Sequence, residues 1–140
     1  MKNSNECGYT LIMSTEIIGL SHLEREIIAN VVRYNIRDFD YDMMQLETEA
    51  GQDLAGVSDR TAITILIAKL TAILRLANSM DKTHKSKLID CRMAVREGQL
   101  VITTGYKGDL ALESASFEQK AAFFEEIFGI RPVLKQKRRV

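Results

Sequence analysis

The chain has no tryptophan, one proline, eight glycines, two cysteines and two histidines in 140 residues. So little Pro and Gly argues against a long flexible linker or a low-complexity tract. Cys7 and Cys91 stand at unrelated positions, make no disulfide framework and suit a reducing compartment. No run reads as long and apolar enough to cross a bilayer, and the opening MKNSNECGYT lacks the apolar core of a signal peptide. The expectation is a cytoplasmic protein with no membrane partner.

What is present is ordinary in amount and uneven in distribution. Hydrophobic residues make up 46% and charged residues 27%, as in a soluble globular chain of one domain or two small ones sharing a core. Net charge is zero, but residues 1–60 hold five Lys/Arg against eleven Asp/Glu, and residues 61–140 hold fourteen against eight. A basic second half can steer a polyanion, or it can simply neutralise the acidic half; charge alone does not choose between these.

The strongest pattern runs from Thr61 to Met80. Ile63, Leu66, Ile67, Leu70, Ile73, Leu74, Ala77 and Met80 keep the spacing of one helical face, and Ile65 and Leu76 widen the stripe. This predicts a helix over about 59–80, buried on most sides, with Ser58 or Asp59 as its cap. The apolar pattern then stops in the polar, mostly basic exit DKTHKSK.

Upstream, residues 6–16 read as a short helix or an irregular lead-in. Ser21 and Glu24 form an S-x-x-E capping box that opens a helix with Leu23, Ile27, Ile28, Val31 and Val32 on its apolar face. Residues 35–56 read as a long acidic connection holding a short helix near 42–50. Within it, Asp38, Asp40, Asp42 and Glu49 match part of a calcium-loop spacing, but Met43 stands where the sharp turn needs glycine, so a solvated acidic segment is the better account.

Downstream the period changes to two. Ile89, Cys91, Met93 and Val95 alternate with Asp90, Arg92, Ala94 and Arg96, which predicts a half-buried strand. Glu97-Gly98 makes a tight turn into a partner strand over 99–106. Leu110 and Leu112 suggest a third strand over 110–114. Ser116 and Gln119 read as a second capping box for a helix over 117–128, which Gly129 ends. Pro132 places a last short strand, 130–135, at a sheet edge. The predicted fold is α+β: a helical part over 1–87, then a small β-β-β-α-β domain over 88–140.

Three stretches carry a family likeness. Leu70–Lys87 reads LTAILRLANSMDKTHKSK, residues 14–35 read STEIIGLSHLEREIIANVVRYN, and residues 117–139 read FEQKAAFFEEIFGIRPVLKQKRR. Together they resemble the C-terminal third of the exopolyphosphatase / guanosine pentaphosphate phosphohydrolase (Ppx/GppA) family. The resemblance implies that the helical part is the end of an HD-like domain, degenerate and truncated. In that family such domains hold a divalent metal with His and Asp, which an open hydrolytic site requires. This chain departs from the pattern: Cys7-Gly8-Tyr9 stands where relatives read H-S-Y, Asn35 ends R-Y-H, and Asn78 ends L-A-D. Neutral Asn is a poor substitute for an anionic or imidazole ligand, so no metal, cofactor or catalytic residue is expected. The family's catalytic actin-like region has no counterpart in this sequence.

The resemblance implies an accessory region that extends a polyanion channel and helps form a homodimer, with inorganic polyphosphate or a guanosine polyphosphate as ligand. The expected contacts are Arg75, Lys82, His84, Lys85 and Lys87 at the end of the central helix, and Lys135, Lys137, Arg138 and Arg139 in the tail. Each group has a plainer reading, because helix C-termini attract cations and basic termini fray. No aromatic residue interleaves the tail, which argues against nucleic acid. His22 reads as a solvated first-turn residue. The alternative is a dimerisation or regulatory module that binds no phosphate compound.

Overall fold

The computed structural model of the chain describes residues 4–15, 19–35 and 57–137. Its elements run α1 (Ser4–Ser14), α2 (His22–Arg33), α3 (Val57–Met80), β1 (Cys91–Arg96), β2 (Gln99–Thr104), α4 (Ala111–Phe128) and β3 (Arg131–Gln136). This is α+β, with helices first and a mixed three-stranded sheet after them. The acidic segment with Asp38, Asp40, Asp42 and Glu49 lies outside the described residues, as do Arg138 and Arg139. Two compact units divide the chain, Met1–Thr71 and Ala72–Val140, with the division inside α3.

In the first unit the capping box forms as the sequence predicts. Ser21 Oγ accepts from the Glu24 amide at 3.1 Å, and Glu24 Oε1 accepts from the Ser21 amide at 3.0 Å. The Ser21 amide holds the Glu24 carboxyl below its ordinary range. Gly8 sets the approach of α1 to α2: a Cβ there would sit 2.7 Å from Val32 Cγ1. Beside that contact, the Arg33 guanidinium lies 3.5 Å from the centre of the Tyr9 ring. Val31 is buried, while Leu11 is exposed.

The central helix forms, but its buried face differs from the predicted one. Ile67, Ala68, Thr71, Ala72, Leu76 and Ser79 are buried, whereas Ile65, Leu66, Leu70 and Ile73 stay 37–49% exposed. Small residues dominate the buried stripe, and their low bulk permits close packing that a hydrophobicity pattern does not register. By length and composition, Thr61–Met80 is also apolar enough to cross a membrane, contrary to the sequence reading.

In the second unit, Ala72 and Leu76 at the end of α3 join Ile102, Phe117 and Phe124 in one core, with Leu100, Phe128 and Leu134 packed against it. This shared core explains why the last turns of α3 belong with the sheet. Strand order is β1-β2-β3, antiparallel between β1 and β2 and parallel between β2 and β3. A parallel pair needs a crossover, and α4 supplies it. The hairpin turn has φ of 50° at Glu97 and 75° at Gly98, the pair of positive values that a two-residue type I′ turn requires. β3 lies at a sheet edge, as Pro132 indicated.

The predicted third strand is absent. Residues 111–114 form the first turn of α4, so the sheet domain is β-β-α-β, and Ser116 lies buried inside the helix rather than capping it. The start is instead set by Asp109, whose Oδ1 accepts from the Ala111 amide at 2.9 Å. Gly129, at φ 74°, ends the helix, with its amide donating to the Glu125 carbonyl at 2.8 Å.

Candidate anion-binding surface

Strand register decides which side chains share a face. Arg92 pairs with Thr103 and Ala94 with Val101, while Val101 faces Val133 and Thr103 faces Lys135. Directly paired residues project to the same side. Arg92, Arg96, Thr103 and Lys135 therefore lie on one face, around a small apolar centre of Ala94, Val101 and Val133. The opposite face carries Leu100, Ile102 and Leu134 and packs on α4.

A concavity of about 680 Å³ follows β1, lined by residues 90–94 and Arg96 together with Val101, Thr103, Thr104, Gly105 and Lys137. Arg92, Arg96, Lys135 and Lys137 are exposed and form no ion pair with a described residue. Arg131, at the start of β3, is by contrast held by Glu118 and Glu125, each at 3.4 Å. The result is a cation-bearing surface whose side chains have no ion-pair partner among the described residues and can meet phosphate oxygens. Arg presents a planar fork to them and Lys a point charge.

The basic exit from α3 is more ordered than a frayed helix end. Asp81 Oδ1 accepts from the Ser86 amide at 3.0 Å, and His84 and Ser86 take left-handed backbone angles, φ 56° and 53°. Thr83 Oγ1 donates to Glu113 Oε2 at 2.6 Å, and Lys87 Nζ lies 3.5 Å from Glu113 Oε1. Lys87 also donates to the Asp109 carbonyl at 2.9 Å and lies 5.9 Å from the centre of the Tyr106 ring. The Thr83 hydrogen bond is the main cause holding the buried Glu113 carboxyl below its ordinary range, against the desolvation that raises it; Lys87 adds to the lowering. This network latches the loop to the start of α4.

The expected contacts therefore fall into three groups. Lys87 turns inward to Glu113, and Arg75 lies over the Phe123 ring at 4.8 Å. Lys82, His84 and Lys85 are exposed on the loop, and Lys135 and Lys137 are exposed along and just beyond β3. Arg92 and Arg96 are not among the expected contacts. Their signal was the period-two alternation of Arg92 and Arg96 with apolar residues, repeated by Lys135 and Lys137. Only the strand pairing brings the two pairs together. His22 is not purely solvated: Arg25 lies 2.9 Å from its Nδ1. Among the described residues, no three His, Cys, Asp or Glu side chains gather as metal ligands. No protein-family model matches the chain, and no curated protein is significantly similar to it.

Proposed function

We propose that this chain is an accessory region of an exopolyphosphatase-like phosphohydrolase, with its helical part a degenerate HD-like remnant. In this reading it binds a phosphate polyanion and forms a homodimer, and it has no catalytic site of its own. The observation that carries the reading is the sheet face turned away from α4, where Arg92, Arg96 and Lys137 line one concavity, Lys135 shares the face, and none of the four has an ion-pair partner among the described residues. Such a row of cations displaces the condensed counterions of closely spaced phosphates into solvent, which favours linear polyphosphate over an isolated phosphate. Lys82 and Lys85 on the loop add to the attraction. Lys87 contributes structure, because its ammonium already serves Glu113.

The test is a polyphosphate titration of the whole chain at low and moderate salt, comparing the natural sequence with Arg92→Ala/Lys137→Ala, which leaves Arg96 in place. If about four phosphates are neutralised, log K falls with log salt at a slope of about −3, and the double variant lowers the slope to about half. Absence of binding at low salt overturns the polyanion reading. A second reading, a dimerisation module with no phosphate ligand, is favoured by one specific feature: Met93 and Val95 on β1 are 60% and 65% exposed.

A further inference from the structure

Strand β1 ends the sheet, and one of its long edges has no partner strand among the described residues. The two-residue turn makes Arg96 and Gln99 a hydrogen-bonded pair, and alternation along the ladder directs the backbone groups of Ala94 and Arg92 to β2 as well. The amides and carbonyls of Cys91, Met93 and Val95 therefore point out of the free edge. Their side chains extend the apolar side of the sheet, where Met93 and Val95 are largely exposed. Folded proteins usually block such an edge with proline, a bulge or inward-pointing charge. β1 carries no proline and no bulge, and its two arginines lie on the face away from the core.

We propose that β1 pairs antiparallel with β1 of a second copy of this chain, about a two-fold axis at Met93, so that one sheet runs through both copies. This rests on the homodimer part of the function proposed above and assigns it a surface. Charge selects the register. Side chains opposite one another must share a face, so the axis falls on a residue rather than between residues. At Arg92 the axis would oppose the two Arg92 side chains, and at Ala94 it would oppose Arg92 to Arg96, which destabilises either pairing. At Cys91 or Val95 much of the strand would be left without overlap.

The axis at Met93 avoids all three faults. Met93 meets Met93, Cys91 meets Val95 on the apolar side, and Asp90 meets Arg96 on the basic side. Asp90 is exposed, as is Arg96, and neither has an ion-pair partner among the described residues. Every outward amide and carbonyl of Cys91, Met93 and Val95 gains a partner. The contact is short, six residues on each strand, so the dimer dissociates on dilution.

The experiment uses the whole chain without polyphosphate, so its outcome does not depend on the ligand. In a Cys7→Ser/Cys91→Ala background, Met93→Cys gives a disulfide-linked dimer under mild oxidation, because opposed residues lie about 5.5 Å apart at Cα, within disulfide reach. Ala94→Cys does not. Asp90→Arg weakens the dimer about tenfold by sedimentation, as two like-charge contacts replace two favourable ones, and Asp90→Arg/Arg96→Asp restores it. Met93→Pro leaves the β1–β2 ladder and the circular dichroism intact but gives a monomer, since the amide it removes faces outward. A dimer that fails to link at residue 93, or links through residue 94, overturns this surface and leaves the homodimer reading standing. A monomer at every concentration overturns both.

Discussion

Leu110 and Leu112 provide the sharpest test of how the C-terminal unit is built. In a strand the two would share a face and lose similar stability on truncation. In the structure Leu110 precedes the first turn of α4 and is 6% exposed, whereas Leu112 lies within that turn and is 63% exposed. Truncating a buried leucine costs about 2–5 kcal/mol, the lost transfer free energy plus the cavity left behind. An exposed position away from special contacts changes stability by about 0.5 kcal/mol or less, and alanine is at least as good a helix former as leucine. Leu110→Ala should therefore lower the melting temperature by roughly 6–15 °C for a chain of this size, and Leu112→Ala by no more than about 2 °C. Thermal unfolding followed by circular dichroism, with urea midpoints as a second probe, reads the difference directly. Equal losses for the two variants would refute the placement of α4 and restore a strand at 110–114.

Two further substitutions test other joints of the fold. Gly8→Ala places a methyl group 2.7 Å from Val32 Cγ1 and should destabilise the α1–α2 packing by about 1–3 kcal/mol; Gly8→Ala/Val32→Ala, measured by urea unfolding, should recover much of the loss. Glu113 has its carboxyl held low in the folded state, so its contribution to stability is present above the ordinary glutamate range and is lost as pH falls through the folded value. Glu113→Gln should therefore be less stable than the natural chain at neutral pH and should show a shallower loss of stability in acid. Identical acid profiles for the two proteins would remove Glu113 from the latch.

Local rules were legible in the sequence where a few neighbouring residues decide the outcome. The Ser21–Glu24 capping box, the Glu97-Gly98 hairpin turn, the Gly129 helix end and the Pro132 edge strand all rest on contacts within a few positions, and all form. Features set by distant contacts were read less well. The buried stripe of α3 is built from Ala68, Thr71, Ala72 and Ser79, residues whose value is small size, while bulky Leu70 and Ile73 remain partly exposed. Period-two spacing at Leu110 and Leu112 suggested a strand, yet Asp109 starts a helix there and Phe117 and Phe124 anchor it to the sheet.

The candidate surface follows the same division. The basic loop Lys82–Lys87 was visible as a charge cluster, but Lys87's partner Glu113 is far along the chain, so its structural role was not visible. Arg92 and Arg96 meet Lys135 and Lys137 only through a parallel pairing across a helical crossover. No window of sequence contains all four.

The central claim is that the face of the sheet turned away from α4 receives a phosphate polyanion. The most direct measurement is a nuclear magnetic resonance titration of the whole isotope-labelled chain with short polyphosphate at low salt. The account predicts that the largest amide shifts fall on Arg92, Arg96, Thr103, Lys135 and Lys137, with smaller ones at Lys82 and Lys85, and that all are lost as salt rises. Shifts confined to the loop, or no shifts at all, would contradict it.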